Sequence, residues 1–229
     1  MTTTEQWENF QIENSKNIIK NDEFDNVKYI GGLDISFDKS NNSKACAYLS
    51  IYDITKNKIV HEEYHVTNLT IPYVSGFLGF REVPEYVVLL NKIKKTKPEY
   101  YPQLLMIDGF GILHHREFGS ASHLGLIENI PTIGIAKTLL MIDGMDEKKI
   151  RDKFKLECHK KGDYIELIGD SGKNYGVAFK SGDNVEKPIY ISIGHKISLK
   201  SAIEFVNKTC FFRIPEPIRN SDIKSKLHF

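Results

Sequence analysis

Three apolar or alternating runs, Tyr29 to Phe37, Ala45 to Ile54 and Lys58 to Val66, follow one another with only residues 38–44 and 55–57 between them. A parallel pairing needs a crossover of a dozen or more residues, so links this short predict an antiparallel meander. The pattern then changes. Residues 81–97 carry Val83, Tyr86, Val87, Leu90 and Ile93 near a helical period, with Pro84 expected in the first turn and Pro98 as the stop. A short buried-type strand, Leu104 to Ile107, ends at Asp108-Gly109; a Gly- and His-rich loop, a helix near 121–128 and a strand at 132–135 come next. Strands alternating with helices call for crossovers and parallel pairing.

Residues 164–168, 175–179 and 188–192 read as further strands, 198–207 as a helix, and a last helix follows Pro217. An antiparallel three-strand start continued by parallel strands is the ordering of ribonuclease H-like folds, so the expected class is α/β: a mixed sheet flanked by helices. No internal repeat or low-complexity linker divides the 229 residues, and 1–229 reads as a single domain. The opening segment around Trp7, Phe10, Ile12, Ile18 and Ile19 is expected to form a helix on the outside of the domain, with little functional content.

A net charge of +1 announces no polyanion partner at the level of the whole chain, so any nucleic-acid footprint is local. The strongest basic run, Lys92, Lys94, Lys95 and Lys97, reads first as a solvated helix end. Cys46, Cys158 and Cys210 are odd in number and widely spaced, which argues against a disulfide framework or structural zinc and fits a reducing compartment. Neither a secretory leader nor an apolar run near the ~18 residues of a spanning helix is present. The expected location is cytoplasmic or nuclear, with the nucleolus included, and neither secreted nor in a membrane.

Asp34 lies mid-run in a strand-like segment, where aspartate is depleted; a bound cation would offset its burial, and a solvent-facing position on an alternating strand is the plainer alternative. Asp108 ends a buried-type strand, where open α/β sheets place their ligands, although Asp-Gly also starts turns routinely. Glu82 stands at an expected helix start, where the helix dipole alone would explain it. Asp222 sits on the expected last helix and is otherwise simply exposed. Carboxylates from separated segments, without Cys or closely spaced His, make an oxygen-rich set suited to Mg²⁺ or Mn²⁺ rather than zinc, and such sets suit phosphodiester hydrolysis.

Lys137 directly follows a buried-type strand and would emerge beside Asp108, either to neutralise a phosphate or as a surface lysine. His114 and His115, beside Arg116, are phosphate donors, a general acid or structural loop residues. Tyr73 tips a rigid loop and would wedge into a base stack or merely pack on the surface. Gly109, Gly111 and Gly119 with Ser120 would let a base approach the backbone closely.

Together these segments resemble the endonuclease V family of deoxyinosine- and inosine-specific nucleases. The resemblance runs in family order over most of the chain: residues 32–37 (GLDISF), 72–82 (PYVSGFLGFRE), 108–116 (DGFGILHHR), 119–125 (GSASHLG), 131–137 (PTIGIAK), Gly194-His195 and 213–219 (RIPEPIR). It implies a ribonuclease H-like fold with Asp34, Glu82, Asp108 and Asp222 around Mg²⁺ or Mn²⁺, Asp34 and Asp108 being the central ligands. Lys137 matches the active-site lysine, His114 the active-site histidine and Tyr73 the strand-separating wedge. Gly76, Leu78, Gly109 and Ser120 match positions around an extruded hypoxanthine.

The implied reaction is hydrolysis of the second phosphodiester bond 3′ to the lesion, leaving a 3′-hydroxyl and a 5′-phosphate. Tyr-Val-Ser at the wedge, paired His114-His115, and Asp222 where bacterial members usually carry His are similar to the eukaryotic branch. That branch prefers inosine in single-stranded RNA, with deoxyinosine in DNA as a further substrate. A mainly DNA-repair role and a non-catalytic inosine-binding role are the competing expectations. The vertebrate cluster of adjacent cysteines before Arg-Ile-Pro is absent, Cys210 standing alone.

Overall fold

The computed structural model describes residues 2–41 and 43–229. Helix α1 (Thr3–Ser15) opens on a reciprocal capping box between Thr2 and Glu5. The predicted meander follows as β1 (Tyr29–Phe37), β2 (Lys44–Asp53) and β3 (Lys58–Asn68), paired antiparallel. Next come α2 (Leu78–Thr96), β4 (Leu104–Asp108), α3 (Ser120–Glu128) and β5 (Thr132–Ala136). The chain is completed by α4 (Glu147–Glu157), β6 (Tyr164–Ile168), β7 (Asn174–Phe179), β8 (Ile189–His195), α5 (Leu199–Thr209) and α6 (Glu216–Ser225).

The eight strands of the described residues form one mixed sheet in the order β3-β2-β1-β4-β5-β8-β7-β6. The pairs β1/β4 and β4/β5 are parallel, and β8 closes onto β5 antiparallel. The architecture is the expected single-domain, ribonuclease H-like α/β fold. None of its described helices is long and apolar enough to cross a membrane.

Side chains alternate across a strand, and that alternation sorts the core. Leu33, Leu105 and Ile107 pack with Val83, Tyr86, Leu89 and Leu90 of α2 and with Ala121 and Leu124 of α3. Ile30, Leu104 and Met106 point the other way, toward Ala202 and Val206 of α5 and Ile218 of α6. Asp34 and Asp108 share the parity of Ile30 and Met106, so both belong to the face that α6 covers. In the β1/β4 register Leu33 faces Ile107, which puts Asp34, in the middle of β1, beside Asp108 at the end of β4.

Helix α6 lies unusually close to the sheet. A Cβ on Gly32 would stand 2.1 Å from the Pro217 carbonyl carbon. Small polar residues seal the contact: Ser221 donates to the Gly32 carbonyl (2.9 Å), Ser221 and Ser50 hydroxyls meet at 2.7 Å, and so do Ser225 and Ser36.

Helix α2 begins at Leu78 instead of Arg81, which moves Pro84 from the expected first turn to the helix interior. Proline has no N–H, so the Phe80 carbonyl loses its usual partner there. The same shift places Glu82 in the second turn, past the first-turn position that the dipole reading required.

Candidate active site

The four carboxylates come together from four elements. Asp34 is 7% exposed and Glu82 4%, and Asp34 Oδ2 and Glu82 Oε2 are buried without a hydrogen-bond partner. Burial pushes the Asp34 carboxyl well above its ordinary range, and repulsion from Asp108 and Asp222 adds to it. Glu82 is raised in the same way by burial, then by Asp34 and Asp108, with Arg81 opposing. Asp34 and Asp222 are within hydrogen-bond reach of one another. Burial would raise Asp222 too, but the Lys226 ammonium at 2.8 Å and Lys137 outweigh it and hold the carboxyl low.

Lys137 emerges where β5 ends, as its position after the strand predicts. Its Nζ donates to Asp108 Oδ2 at 2.5 Å and lies 3.9 Å from Asp222 Oδ1. Burial disfavours the charged amine, but the surrounding carboxylates win and raise its pKa. Asp34, Asp108, Lys137, Asp222 and Lys226 line one open cleft of about 980 Å³.

Among the described residues no group of three or more His, Cys, Asp or Glu side chains is placed closely enough to hold a metal ion as it stands. The donors nevertheless fit a hard divalent cation. Two enclosed carboxylate oxygens lack any partner, and like charges this close stay apart until a cation screens them. Asp34, Asp108, Glu82 and Asp222 are the residues that would hold it.

Beside the cleft is a second cavity of about 350 Å³, lined by Tyr73, Gly76, Leu78, Gly109, Ser120 and His114 and sharing Asp108 and Lys137 with the cleft. All four glycine-loop and wedge-loop positions expected around a base therefore face one space. Gly109 has φ +156°, where other residues are strained, and a Cβ there would stand 2.5 Å from Ser120 Oγ at the start of α3 and crowd that hydroxyl. Ser120 Oγ is buried without a partner. Tyr73 stands at the rim, 69% exposed.

His114 sits on the wall of this second cavity. Its Nε2 donates to the Gly76 carbonyl at 3.0 Å, and its Nδ1 accepts the Arg116 N–H at 3.3 Å. Burial, then Arg116 and His115, lower its pKa to about 4, so the ring is neutral with both nitrogens committed to backbone. In this state it shapes the cavity wall, and its proton is not offered to a phosphate.

His123 of α3 lies behind the same wall, enclosed by Phe10, Phe80 and Phe118 with ring centroids 5.2, 4.9 and 5.5 Å away. Burial lowers its pKa to about 4, below the ordinary 6.5. A depressed imidazole favours folding in its neutral form: the contribution is complete above pH 6.5 and is lost as the pH falls toward 4. That gap is worth about 3 kcal/mol. His123→Phe, which keeps the ring and removes the proton site, is expected to be the more stable protein at pH 5 by at least about 1 kcal/mol in urea unfolding. The reading is wrong if the two proteins lose stability in parallel between pH 7 and pH 5.

Sequence reasoning missed two participants. Lys226 is four residues beyond Asp222 on a helix-competent stretch, a spacing that pairs opposite charges, so that signal was present. Gln11 is the one buried residue of α1 and lines the second cavity. A buried glutamine has no signature until the carbonyls it serves are known. The helix expected to carry little function thus reaches the candidate pocket.

Residues 12–223 match the family model of endonuclease V. A human endonuclease V is 43% identical over 206 residues, which is 90% of this chain and 73% of the relative. A mouse endonuclease V is 42% identical over 89% of this chain, which spans 60% of that longer protein. The crystal structure of Ciona intestinalis endonuclease V D234N, in complex with a 23mer DNA containing an inosine followed by a ribo-adenosine, is similar over 100% of this chain and 98% of that one. Its TM-score is 0.94 at 33% identity.

Proposed function

The chain belongs to the endonuclease V family and is an endonuclease, and from that premise we propose that it uses Mg²⁺ or Mn²⁺ to hydrolyse the second phosphodiester bond 3′ to an inosine. Single-stranded RNA is the main proposed substrate and deoxyinosine in DNA a further one. The observation that carries this reading is the shared wall: Asp108 and Lys137 line both the glycine-bounded cavity and the carboxylate cleft. A base held in the first presents its own strand to the second.

The cation, when bound, supplies Lewis-acid activation of water and of the leaving oxygen. Asp34 and Asp108 would hold it, with Glu82 and Asp222 as the further carboxylates that would help to hold it and to orient water. Lys137, kept protonated by its carboxylate neighbours, neutralises charge on the phosphate. Ser120 Oγ and the backbone about Gly76, Leu78 and Gly109 line the space for the extruded base. Retention of the acidic set with Lys137 speaks for catalysis over a binding-only role. The RNA preference rests on Tyr-Val-Ser at the wedge, the paired histidines and Asp222. The three free, buried cysteines support a reducing, cytoplasmic or nuclear setting.

One observation favours the DNA-repair reading: the Ciona relative was crystallised on an inosine-containing DNA. Matched RNA and DNA strands with and without one inosine, each tested in Mg²⁺ and Mn²⁺, separate the two. Faster cleavage of inosine RNA at equal concentration supports the proposal, whereas faster cleavage of deoxyinosine DNA makes repair the main role. Cleavage that ignores inosine would end both.

The exposed ring of Tyr73 makes a further outcome expected. Stacking on an aromatic side chain is worth about 1–3 kcal/mol per base, so Tyr73→Ala should slow cleavage in duplex DNA by about tenfold. Single-stranded RNA, which has no partner strand to displace, should lose less. Equal losses on both would remove the wedge role.

A further inference from the structure

We propose that Gln11 of α1 is a positioning residue that fixes the wall of the base cavity and so governs how tightly inosine is held; this rests on the inosine reading above. The Gly76 carbonyl is the focus. It accepts hydrogen bonds from Gln11 Nε2 at 3.0 Å, His114 Nε2 at 3.0 Å and an Arg116 terminal nitrogen at 3.2 Å. Three side-chain donors from two separate segments thus share one backbone oxygen.

Gln11 links the arrangement. Its Nε2 also donates to the Phe118 carbonyl at 3.1 Å, and its Oε1 accepts from Arg116 Nε at 2.6 Å. Only 2% exposed, it spends its amide hydrogens and its oxygen on these partners. Glu8, one turn earlier, lies 3.5 Å from another Arg116 nitrogen, and the Arg116 guanidinium lies over the Phe77 ring at 4.5 Å. Trp7 stacks on Phe80 at 5.0 Å. One face of α1 is therefore docked on the loop between Tyr73 and α2.

That loop needs an outside anchor. Residues 72–77 belong to no helix or strand, and Gly76 turns at φ +80°, where other residues are strained. Gly76 lines the cavity from the loop and Leu78 from the first turn of α2, and Tyr73 rises from the same segment as Gly76. A shift of the Gly76 carbonyl therefore moves the wall and the wedge together. The carboxylates lie outside the loop, on β1, α2, β4 and α6. Neither Trp7 nor Gln11 falls within the segment matched to the family, which starts at residue 12.

Gln11→Met keeps the length of the side chain and removes all three hydrogen bonds. The expected result on a single-stranded inosine RNA in Mg²⁺ is a KM raised about tenfold with kcat within about twofold, because the loss falls on binding before the chemical step. Arg116→Met combined with Gln11→Met should raise KM no further than the product of the singles and, if the clamp acts as one unit, less. Gln11→Asn, with the amide retained on a shorter stem, serves as the second variant should the methionine protein melt below assay temperature; its KM should also rise. A KM within twofold of the parent protein in the folded variant, or a loss confined to kcat, overturns the proposal. The parent protein is first tested on matched inosine and guanosine strands. Without an inosine preference the functional reading itself falls, whereas an intact preference with an unmoved KM sinks only the clamp.

Discussion

Asp34→Asn is expected to lower kcat by about a thousandfold or more, on the scale of losing a central electrostatic group, while raising the stability of the metal-free protein. The carboxylate is buried, one of its oxygens has no partner, and burial together with Asp108 and Asp222 works against its charge. An amide of the same shape removes that repulsion. Even about 1 kcal/mol of relief should raise Tm by about 2–4 °C in a chain of this size. Kinetics in Mg²⁺ and melting in EDTA test the two halves separately. An active Asp34→Asn protein would remove this residue from the cutting centre; an inactive one of lower Tm would make Asp34 a structural residue.

Gly32→Ala should damage both stability and activity although it touches no reacting group. Its Cβ would stand 2.1, 2.3 and 2.5 Å from backbone atoms of Pro217 and Ile218, which cannot yield by turning a side chain. Helix α6 must move outward, stretching the Ser221 hydrogen bond to Gly32 and the Ser221–Ser50 contact. Overpacking of this kind costs about 3 kcal/mol. Asp222 travels with the helix, and a displacement of about 1 Å at a catalytic group lowers rate by about a hundredfold. Urea unfolding and kcat/KM of the same preparation are the measurements. Loss of stability with full activity would show that the position of α6, and hence Asp222, does not matter to the reaction.

The frame was legible because its signals are local. Links of a few residues dictated the meander, and an aspartate ending a buried run marked the carboxyl end of β4. Asp34 was half legible: the alternation of β1 showed an acid where one is costly, but only the β4 register shows that it faces α6 beside Asp108. Glu82 was obscured by a helix boundary three residues out, which made a dipole explanation look sufficient. Helix α4 went unread because its apolar face is short, Phe154 buried with Ile150 packed one turn before it, in an otherwise charged segment. The insertion of β8 between β5 and β7 is a long-range pairing choice that no local pattern records. The proposed metal ligands and base-cavity residues were named mainly through family resemblance, and the structure adds that the cleft and the cavity share two residues.

The account stands or falls on register. The strand is expected to be cut at a fixed step from the base, since one element pair holds the base and the shared wall presents the phosphate. End-labelled single-stranded RNAs of one sequence, with inosine moved one nucleotide at a time, give the direct measurement. The predicted result is a cut that moves with inosine and always falls at the second bond on its 3′ side, leaving a 3′-hydroxyl. Cuts that stay at fixed sequence positions, or that spread along the strand whatever the place of inosine, would contradict the coupling of pocket and cleft.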